Sequence, residues 1–307
     1  MLIHQRVVRK PGIPGLNKEV LLLLFLGLLL INLPGWAQDE EEEEFKGVGI
    51  HLKLRGAWVT FSGGDLEKGT AGMYDQAAAN IIDSGFELVS SEKKSLRSGS
   101  EFSGDIVYYF TPKLGLGIGG GWLRTRRNSI FRFGEPGAMV NYTMVGAPKI
   151  DILSLRLGLF YTLPLNRLLA VCLNAGPAYY FAHFQFGRSF MTPSDTDSIL
   201  QNVKARGWGL EGGIGLEIRM NQRLAFVLEA QGRYAKISGF EGKEEIYKVI
   251  GGPVFTAVEN GTLFYVEGEK HPRLDVFPGG PPAGVTARKA GLDLTGVSLQ
   301  AGLNFKF

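Results

Sequence analysis

The feature that most restricts the fold is the alternation of apolar and polar residues in the final segment, Gly291 to Phe307. Successive side chains of a β-strand point to opposite faces, so this alternation predicts a strand with one apolar and one polar face. The apolar face consists of Val297, Leu299, Ala301, Leu303, Phe305 and Phe307, and the polar face of Gly296, Ser298, Gln300, Gly302, Asn304 and Lys306.

The same alternation recurs along the chain in segments of about ten residues, which indicates a sheet of eight amphipathic strands. Beyond residue 33 no apolar run reaches the roughly 20 residues that a membrane-spanning helix needs. The seven further segments lie within residues 50–58, 102–110, 114–122, 153–161, 169–181, 208–219 and 224–234.

The connections between these segments alternate between long and short. Short turns occupy residues 111–113, 164–167 and 221–223, and long polar connections occupy residues 62–100, 127–147, 187–205 and 239–290. Bacterial transmembrane barrels have an even number of strands, short periplasmic turns and longer external loops. We therefore predict an all-β fold, an antiparallel eight-stranded up-and-down transmembrane β-barrel, over residues 47–307.

A terminal aromatic strand of this kind resembles the C-terminal signature of bacterial outer-membrane β-barrels, carried here by Leu303, Phe305 and Phe307. The whole pattern is similar to that of the small eight-stranded barrels of the OmpX and OmpW kind. The resemblance implies a place in the outer-membrane bilayer of a diderm bacterium. It also implies that the barrel assembly machinery reads the terminal residues as an assembly signal.

The start of the chain predicts export. Four basic residues precede an apolar run from Val20 to Leu33, and the small residues Gly35 and Ala37 follow it. This order predicts a signal peptide over residues 1–37 that is cleaved after Ala37. A membrane anchor is the alternative, but the run is short for a spanning helix.

The net charge gives no indication of a nucleic-acid partner. The chain has 33 Lys and Arg against 30 Asp and Glu. Without residues 1–37, which hold four basic residues and one acidic residue, both counts become 29. The acidic run that follows predicts a solvated periplasmic tail over residues 38–46. The single cysteine, Cys172, permits no internal disulfide.

Several details of the loops and strands are also predictable. Helical spacing indicates a short surface helix over Gly72 to Ser84, and residues 262–266 and 274–277 indicate a projecting hairpin. If that hairpin entered the membrane, the barrel would have ten strands. Pro177 cannot donate to a ladder, so we expect a bulge there or a strand that has risen above the bilayer. Two aromatic bands are expected at the ends of the strands, with Trp58, Phe61, Phe102, Trp122, Trp208 and Tyr234 on the long-loop side.

The inward-facing positions carry charges of both signs, which predicts a paired network that fills the lumen. Counting residues from the short turns places Glu211 beside Arg233 on adjacent strands, and Lys53 beside Asp105. The predicted lumen charge network consists of Lys53, Arg55, Asp105, Arg156, Glu211, Glu217, Glu229 and Arg233.

No pattern in the sequence indicates catalysis, a cofactor or a metal. The histidines of the mature chain have no serine or cysteine at a spacing typical of a nucleophile and its base, and no His/Cys/Asp set has metal-ligand spacing. Two functions remain open. The first is a non-enzymatic plugged scaffold, expected to be a monomer, that displays long surface loops to an unidentified ligand. The second is a narrow passive transporter of small or apolar solutes.

Overall fold

The computed structural model describes residues 48–135, 140–191, 196–249, 254–268 and 270–307. The predicted signal peptide and acidic tail, residues 1–46, lie outside these ranges and remain predictions. Among the helices in these ranges, none combines the length and apolar character needed to cross a bilayer. The elements in chain order are β1 (Gly49–Phe61), α1 (Gly64–Asp83), β2 (Glu87–Glu92), β3 (Ser98–Tyr109), β4 (Leu114–Arg126), β5 (Ser129–Gly134), β6 (Val140–Pro164), β7 (Leu169–Met191), β8 (Thr196–Arg219), β9 (Leu224–Ser238), β10 (Glu241–Val249), β11 (Val254–Val266), β12 (Arg273–Phe277), β13 (Ala287–Lys289), β14 (Gly291–Asp293) and β15 (Gly296–Lys306).

Eight of these strands form a closed antiparallel ring, in the order β1, β3, β4, β6, β7, β8, β9 and β15, with β15 paired back to β1. The predicted eight-stranded barrel is therefore confirmed. The predicted hairpin is also present, as β11 paired with β12. It lies outside the ring, so the ten-strand alternative is wrong.

Side-chain caps explain why the three short turns are tight. Thr111 Oγ1 accepts a hydrogen bond from the backbone N–H of Leu114 at 2.9 Å. Asn166 Oδ1 accepts one from Leu169 at 2.8 Å, and Asn221 Oδ1 accepts one from Leu224 at 2.9 Å. Thr and Asn side chains favour turns because they bond to the backbone a few residues ahead. All three turns lie at one end of the barrel, which we call the short-turn end.

The outer face of the ring is an apolar belt. Ile118 and Leu299 are each 63% exposed, as a bilayer-facing wall requires. Trp58, Trp122 and Trp208 mark one margin of this belt, and Phe110 and Tyr161 mark the other. Phe61, which we expected in the outward aromatic band on the long-loop side, is only 4% exposed. The inward parity of Ala57 and Val59 on β1 continues through it, so it faces the interior.

Pro177 does not produce the expected bulge. On both sides of the proline the register between β6 and β7 is unchanged, from Arg156 opposite Ala178 to Leu159 opposite Ala175. Pro177 also stays opposite Leu210 on β8. The proline faces outward at the level of the apolar belt, so it has not risen above the bilayer. The ladder lacks pairs at this point without adding a residue, because Pro has no N–H to donate.

Above the belt the strands continue as an extension of the barrel. β8 pairs with β9 in its lower part and with β10 in its upper part. β9 and β10 thus follow one another along the same edge of β8, with a break at Gly239. The φ of +75° at this residue favours glycine. The helix α1 begins at Gly64, eight residues before the predicted start, and closes the mouth of this extension.

Candidate functional site

The eight predicted lumen residues all lie on the inward faces of the ring strands. Alternation along each strand places them there, because the outward positions belong to the apolar belt. All are buried inside the barrel: Lys53, Arg55, Asp105, Arg156, Glu211, Glu217, Glu229 and Arg233.

The centre of this interior is a chain of ion pairs that crosses the lumen. Arg55 lies between two carboxylates, with its Nη1 2.8 Å from Glu229 Oε2 and its Nη2 bonded to Asp105. Arg156 Nη2 lies 2.6 Å from Asp105 Oδ2, and Arg156 Nη1 lies 3.2 Å from Glu211 Oε2. Each arginine therefore bridges two acidic residues on different strands.

The chain of ion pairs continues to the top of the belt through Glu211. Glu211 faces Arg233 across the ladder of β8 and β9, as predicted, and their side chains meet at 3.0 Å. Arg233 Nη2 also lies 2.8 Å from Glu101 Oε2. The Tyr180 hydroxyl donates to Glu211 at 2.6 Å. Seven residues thus form one continuous unit, which we call the charge cluster: Arg55, Glu101, Asp105, Arg156, Glu211, Glu229 and Arg233.

The predicted pair between Lys53 and Asp105 is wrong. The two residues do face each other across the ladder of β1 and β3. However, both oxygens of Asp105 are taken up by Arg55 and Arg156. The ammonium of Lys53 lies instead 5.3 Å from the centroid of the Phe160 ring, in a cation–π contact.

Glu217 organises a second polar group nearer the short-turn end. It is paired with Lys306 and accepts a hydrogen bond from Asn304 Nδ2 at 2.8 Å. His51 Nδ1 lies 3.4 Å from the same amide nitrogen, and its ring packs 4.5 Å from that of Tyr109. Polar side chains therefore fill the lumen below the charge cluster as well.

The lumen holds charges of both signs. The inward-facing cations include Lys53, Arg55, Arg156, Arg219, Arg233 and Lys306, and the inward-facing anions include Glu101, Asp105, Glu211, Glu217 and Glu229. Buried charges are stable in a dry interior when they are paired and hydrogen-bonded, as they are in the charge cluster.

Glycines make room for these bulky side chains. A Cβ at Gly119 would overlap the carboxylate of Asp105, and one at Gly213 would lie 2.6 Å from Glu229 Oε1. Gly119 and Gly213 therefore leave the space that these two acidic side chains occupy. An eight-stranded barrel has an interior just wide enough for side chains, so glycine relieves crowding on its inward face.

The mouth above the belt is closed by a different structure. Here the interior is an apolar plug, built from the inward faces of the extended strands, from α1 and from the β11–β12 hairpin. The helix approaches the hairpin so closely that a Cβ at Gly69 would lie 2.6 Å from Leu274 Cγ. The Tyr74 ring lies 5.5 Å from that of Phe131 and 5.8 Å from that of Phe186. The buried members include Leu66, Met73, Tyr74, Phe131, Phe184, Phe186, Phe240, Leu263, Leu274 and Leu292.

Polar contacts fix the first turn of α1 in the plug. Glu67 accepts hydrogen bonds from the Leu96 N–H at 2.8 Å and from the Ser95 hydroxyl at 2.7 Å. Asp65 pairs with Arg288 at 2.7 Å. Acidic side chains are also favoured at this end by the helix dipole. The helix is therefore tied both to the first external loop and to the last.

A vestibule of about 380 Å³ opens outward above the plug and ends against it. It lies between α1, β12 and the upper parts of β7 and β8, and its lining combines apolar side chains with charged ones such as Arg188 and Asp275. Nearby, Gln201 donates to Glu244 at 2.6 Å and to the Leu274 carbonyl at 2.8 Å. Burial, together with the Asp275 and Glu259 carboxylates, raises the pKa of Glu244 above its ordinary value.

Some interior residues escaped the sequence prediction. Glu101 and Lys306 share the inward parity of predicted residues on their strands, and that parity could have revealed them. Tyr180 lies between Tyr179 and Phe181, so alternation along β7 could have predicted that its side chain faces the lumen. The plug residues of α1 and β12 carry no such signal, since their partners are distant in sequence. In the part of the chain that the structure describes, no group of three or more His, Cys, Asp or Glu residues is placed to hold a metal ion.

Comparison with known protein families agrees with this architecture. The family described as "Outer membrane protein beta-barrel domain" matches residues 23–249. Among solved structures, the chain is similar to the outer membrane protein OprG of Pseudomonas aeruginosa, with 13% identity over 85% of this chain and 96% of that one and a TM-score of 0.32.

Two other solved structures are similar over comparable lengths. Ail, the attachment invasion locus protein of Yersinia pestis, is 14% identical over 84% of this chain and 99% of that one, with a TM-score of 0.30. The outer membrane protease OmpT of Escherichia coli is 11% identical over 87% and 99%, with a TM-score of 0.30. No curated protein sequence matches the chain. With the family match extending over more than half of its length, the chain belongs to the outer membrane protein beta-barrel domain family and is a protein of the bacterial outer membrane.

Proposed function

We propose that this protein is a closed, non-enzymatic scaffold that holds a folded external structure above the outer membrane. The observation that carries this proposal is that the interior is filled at two levels. The charge cluster fills the lumen at the level of the belt, and the apolar plug fills the mouth above it. A protein that passes solutes needs a continuous path, whereas one that displays a surface needs a rigid support.

The external structure is extensive. β10 and β11 continue the wall upward as a hairpin, on which Val254, Phe255 and Val258 are each about 60% exposed. β2 forms a second projection, paired with β5, and every residue in it is exposed. Exposed apolar side chains on a projecting sheet are typical of interaction surfaces. The ligand of this surface is unidentified, and we propose that the barrel presents it as a monomer.

The contacts of the histidines support a role without catalysis. His51 and His183 both have asparagine side chains as hydrogen-bond partners, Asn304 and Asn202 respectively. The thiol of Cys172 is buried and contacts Thr162 and Glu217. A nucleophile with its base would require a histidine within hydrogen-bond reach of a serine or cysteine.

We also propose that Leu303, Phe305 and Phe307 form the signal for barrel assembly. Phe307 is 81% exposed at the short-turn end, and its N–H donates to the Ile50 carbonyl at 3.0 Å. Deleting Phe307 should leave export intact and lower the yield of folded, heat-modifiable protein in the outer membrane. An unchanged yield would show that the assembly signal lies elsewhere.

The scaffold proposal is tested by solute uptake and by surface labelling. Proteoliposomes should take up a small sugar and a small apolar solute no faster than empty liposomes. An epitope inserted between Gly279 and Gly280, where the structure leaves open space, should be labelled by antibody on intact cells. The same epitope in the turn at Pro112 should not be labelled. Faster uptake of either solute would favour the narrow transporter instead.

A further inference from the structure

The outer wall carries a basic patch directly above the apolar belt. It consists of Arg124 and Arg126 on β4, Lys149 on β6, and Lys204 and Arg206 on β8. All five share the outward parity of the belt residues on their strands, so they face the surroundings of the barrel rather than its lumen. None of them belongs to the charge cluster or to the plug.

The hydrogen-bonded rows of the sheet place these residues side by side. Neighbouring residues in such a row are about 5 Å apart. One row contains Trp122, Leu153, Phe181 and Arg206, the next contains Arg124, Asp151, His183, Lys204 and Glu241, and the third contains Arg126, Lys149, Gln185, Asn202 and Lys243. The patch therefore begins where the aromatic margin of the belt ends.

Positive charge is in excess within the patch. Asp151 pairs with Arg124 at 2.7 Å and with Lys149 at 2.5 Å. Within the described ranges, no ion pair joins Arg126, Lys204 or Arg206. These side chains remain available to an anion from outside the protein.

The patch also has a shape that fits a lipid. A depression of about 300 Å³ on this wall is lined by Phe181, His183, Lys204 and Arg206. Arg206 lies beside Phe181 in one row, and Lys204 lies beside His183 two residues further up the strands. Leu210 continues the apolar surface downward at 61% exposure, so acyl chains can follow it. A free phosphate ion would use only the upper part of this surface.

The opposite wall provides an internal comparison. The same rows continue onto β3, β1 and β15 through uncharged outward residues: Ser100, Trp58, Thr60, Val297 and Leu299. The rows that carry cations on one wall therefore carry none on these three strands. A general attraction to the membrane surface would not require this asymmetry.

We propose that this wall binds a phosphate-bearing lipid of the external leaflet, with the phosphate at Lys204 and Arg206. A guanidinium binds phosphate oxygens in a two-pronged geometry, and lysine adds a compact charge beside it. The inference rests on the position of the barrel in the outer membrane and not on whether the lumen conducts.

Lipid retention by the full-length protein tests the proposal. Detergent-solubilised protein is mixed with phosphatidic acid or with phosphatidylcholine, and the bound lipids are counted by native mass spectrometry. Wild-type protein should prefer phosphatidic acid. The double variant Lys204→Gln with Arg206→Gln should bind it about 30-fold more weakly, which corresponds to about 1 kcal/mol for each charge removed.

A matched control removes the same charge elsewhere. Lys68 and Lys289 are exposed outside the belt, so Lys68→Gln with Lys289→Gln should retain phosphatidic acid like the wild type. Heat-modifiability confirms that both double variants are folded. Equal retention by the two double variants, or the absence of a preference in the wild type, would overturn the proposal. Displacement of the lipid by millimolar inorganic phosphate would also overturn it, because the site would then recognise a free anion.

Discussion

The two parts of the barrel interior are closed by opposite chemistry. At the level of the belt, the charge cluster joins residues of facing strands through ion pairs, and a small apolar group of Val107, Tyr109 and Phe160 packs beside it. In the mouth, the plug buries Tyr74, Phe186 and Leu274 as the core of a water-soluble protein would.

The difference follows from which parts of the chain supply the side chains. At the belt, only the inward faces of eight strands are available, and their outward faces must be apolar. In the mouth, a helix and a hairpin can be added, so apolar area can be buried between elements. The cluster therefore belongs to the barrel itself, and the plug belongs to its loops. Each of the following variants affects one part and should spare the other.

The largest effect is expected from Arg233→Ala. This change removes the ion-pair partner of the buried Glu101 carboxylate, and it leaves Glu211 with Arg156 as its remaining arginine partner. Breaking buried pairs in this way typically costs about 3–5 kcal/mol. Urea unfolding from lipid vesicles measures the loss. The exposed Lys68→Ala serves as the control and should change the stability by less than about 0.5 kcal/mol. A neutral Arg233→Ala would show that the cluster does not hold the barrel together.

Leu274→Ala should affect only the mouth. Leu274, on β12 of the hairpin, is fully buried against α1. Its truncation should lower the unfolding free energy of the plug by about 2–5 kcal/mol. Limited proteolysis should then cut within α1 or β12 sooner, while the barrel stays heat-modifiable. Val258→Ala, at an exposed position on β11, should leave the proteolysis rate unchanged. Loss of the whole barrel in Leu274→Ala would mean that plug and barrel fold as one unit.

Two neighbouring glycines sharpen the account of the lumen. Gly119 faces inward against Asp105, whereas a Cβ at Gly120 would meet the Ser154 carbonyl at 3.1 Å and little else. Gly119→Ala should therefore destabilise the barrel by about 1–3 kcal/mol through overpacking. Gly120→Ala should cost clearly less in the same urea titration. Equal effects would indicate that backbone freedom, and not room for the carboxylate, explains glycine on β4.

The smallest effect is a pH dependence of the mouth. The pKa of Glu244 is raised by burial in the folded state, so the folded protein holds this proton more tightly than the unfolded chain does. The mouth should therefore lose stability as the pH rises from the ordinary glutamate value of 4.5 through the raised pKa. Glu244→Gln should remove this dependence and keep the acceptor for Gln201. Hydrogen exchange of the β12 amides at several pH values measures this pH dependence. Identical pH profiles of exchange for wild type and Glu244→Gln would contradict this role of Glu244.

Sequence alone predicted the strands and most of the inward charges of the belt, but not the packing of the mouth. Alternation fixes which face of each strand is inward, so the pair of Glu211 and Arg233 could be predicted from the distance of each residue to the short turn between their strands. The same reasoning failed for Lys53, because an arginine two residues further along β1 reaches Asp105 diagonally. The plug could not be predicted, since Leu66 lies in the first long connection and Phe240 and Leu274 lie in the last, and they join one cluster only when both connections have folded.

The current through single molecules in a planar bilayer tests the central claim most directly. The wild type and Leu274→Ala should both show no steady conductance, because the charge cluster fills the lumen even when the plug is loosened. A steady open channel in the wild type would contradict the claim that the interior is closed. A channel that opens only in Leu274→Ala would show that the plug alone closes it and that the charge cluster leaves a path.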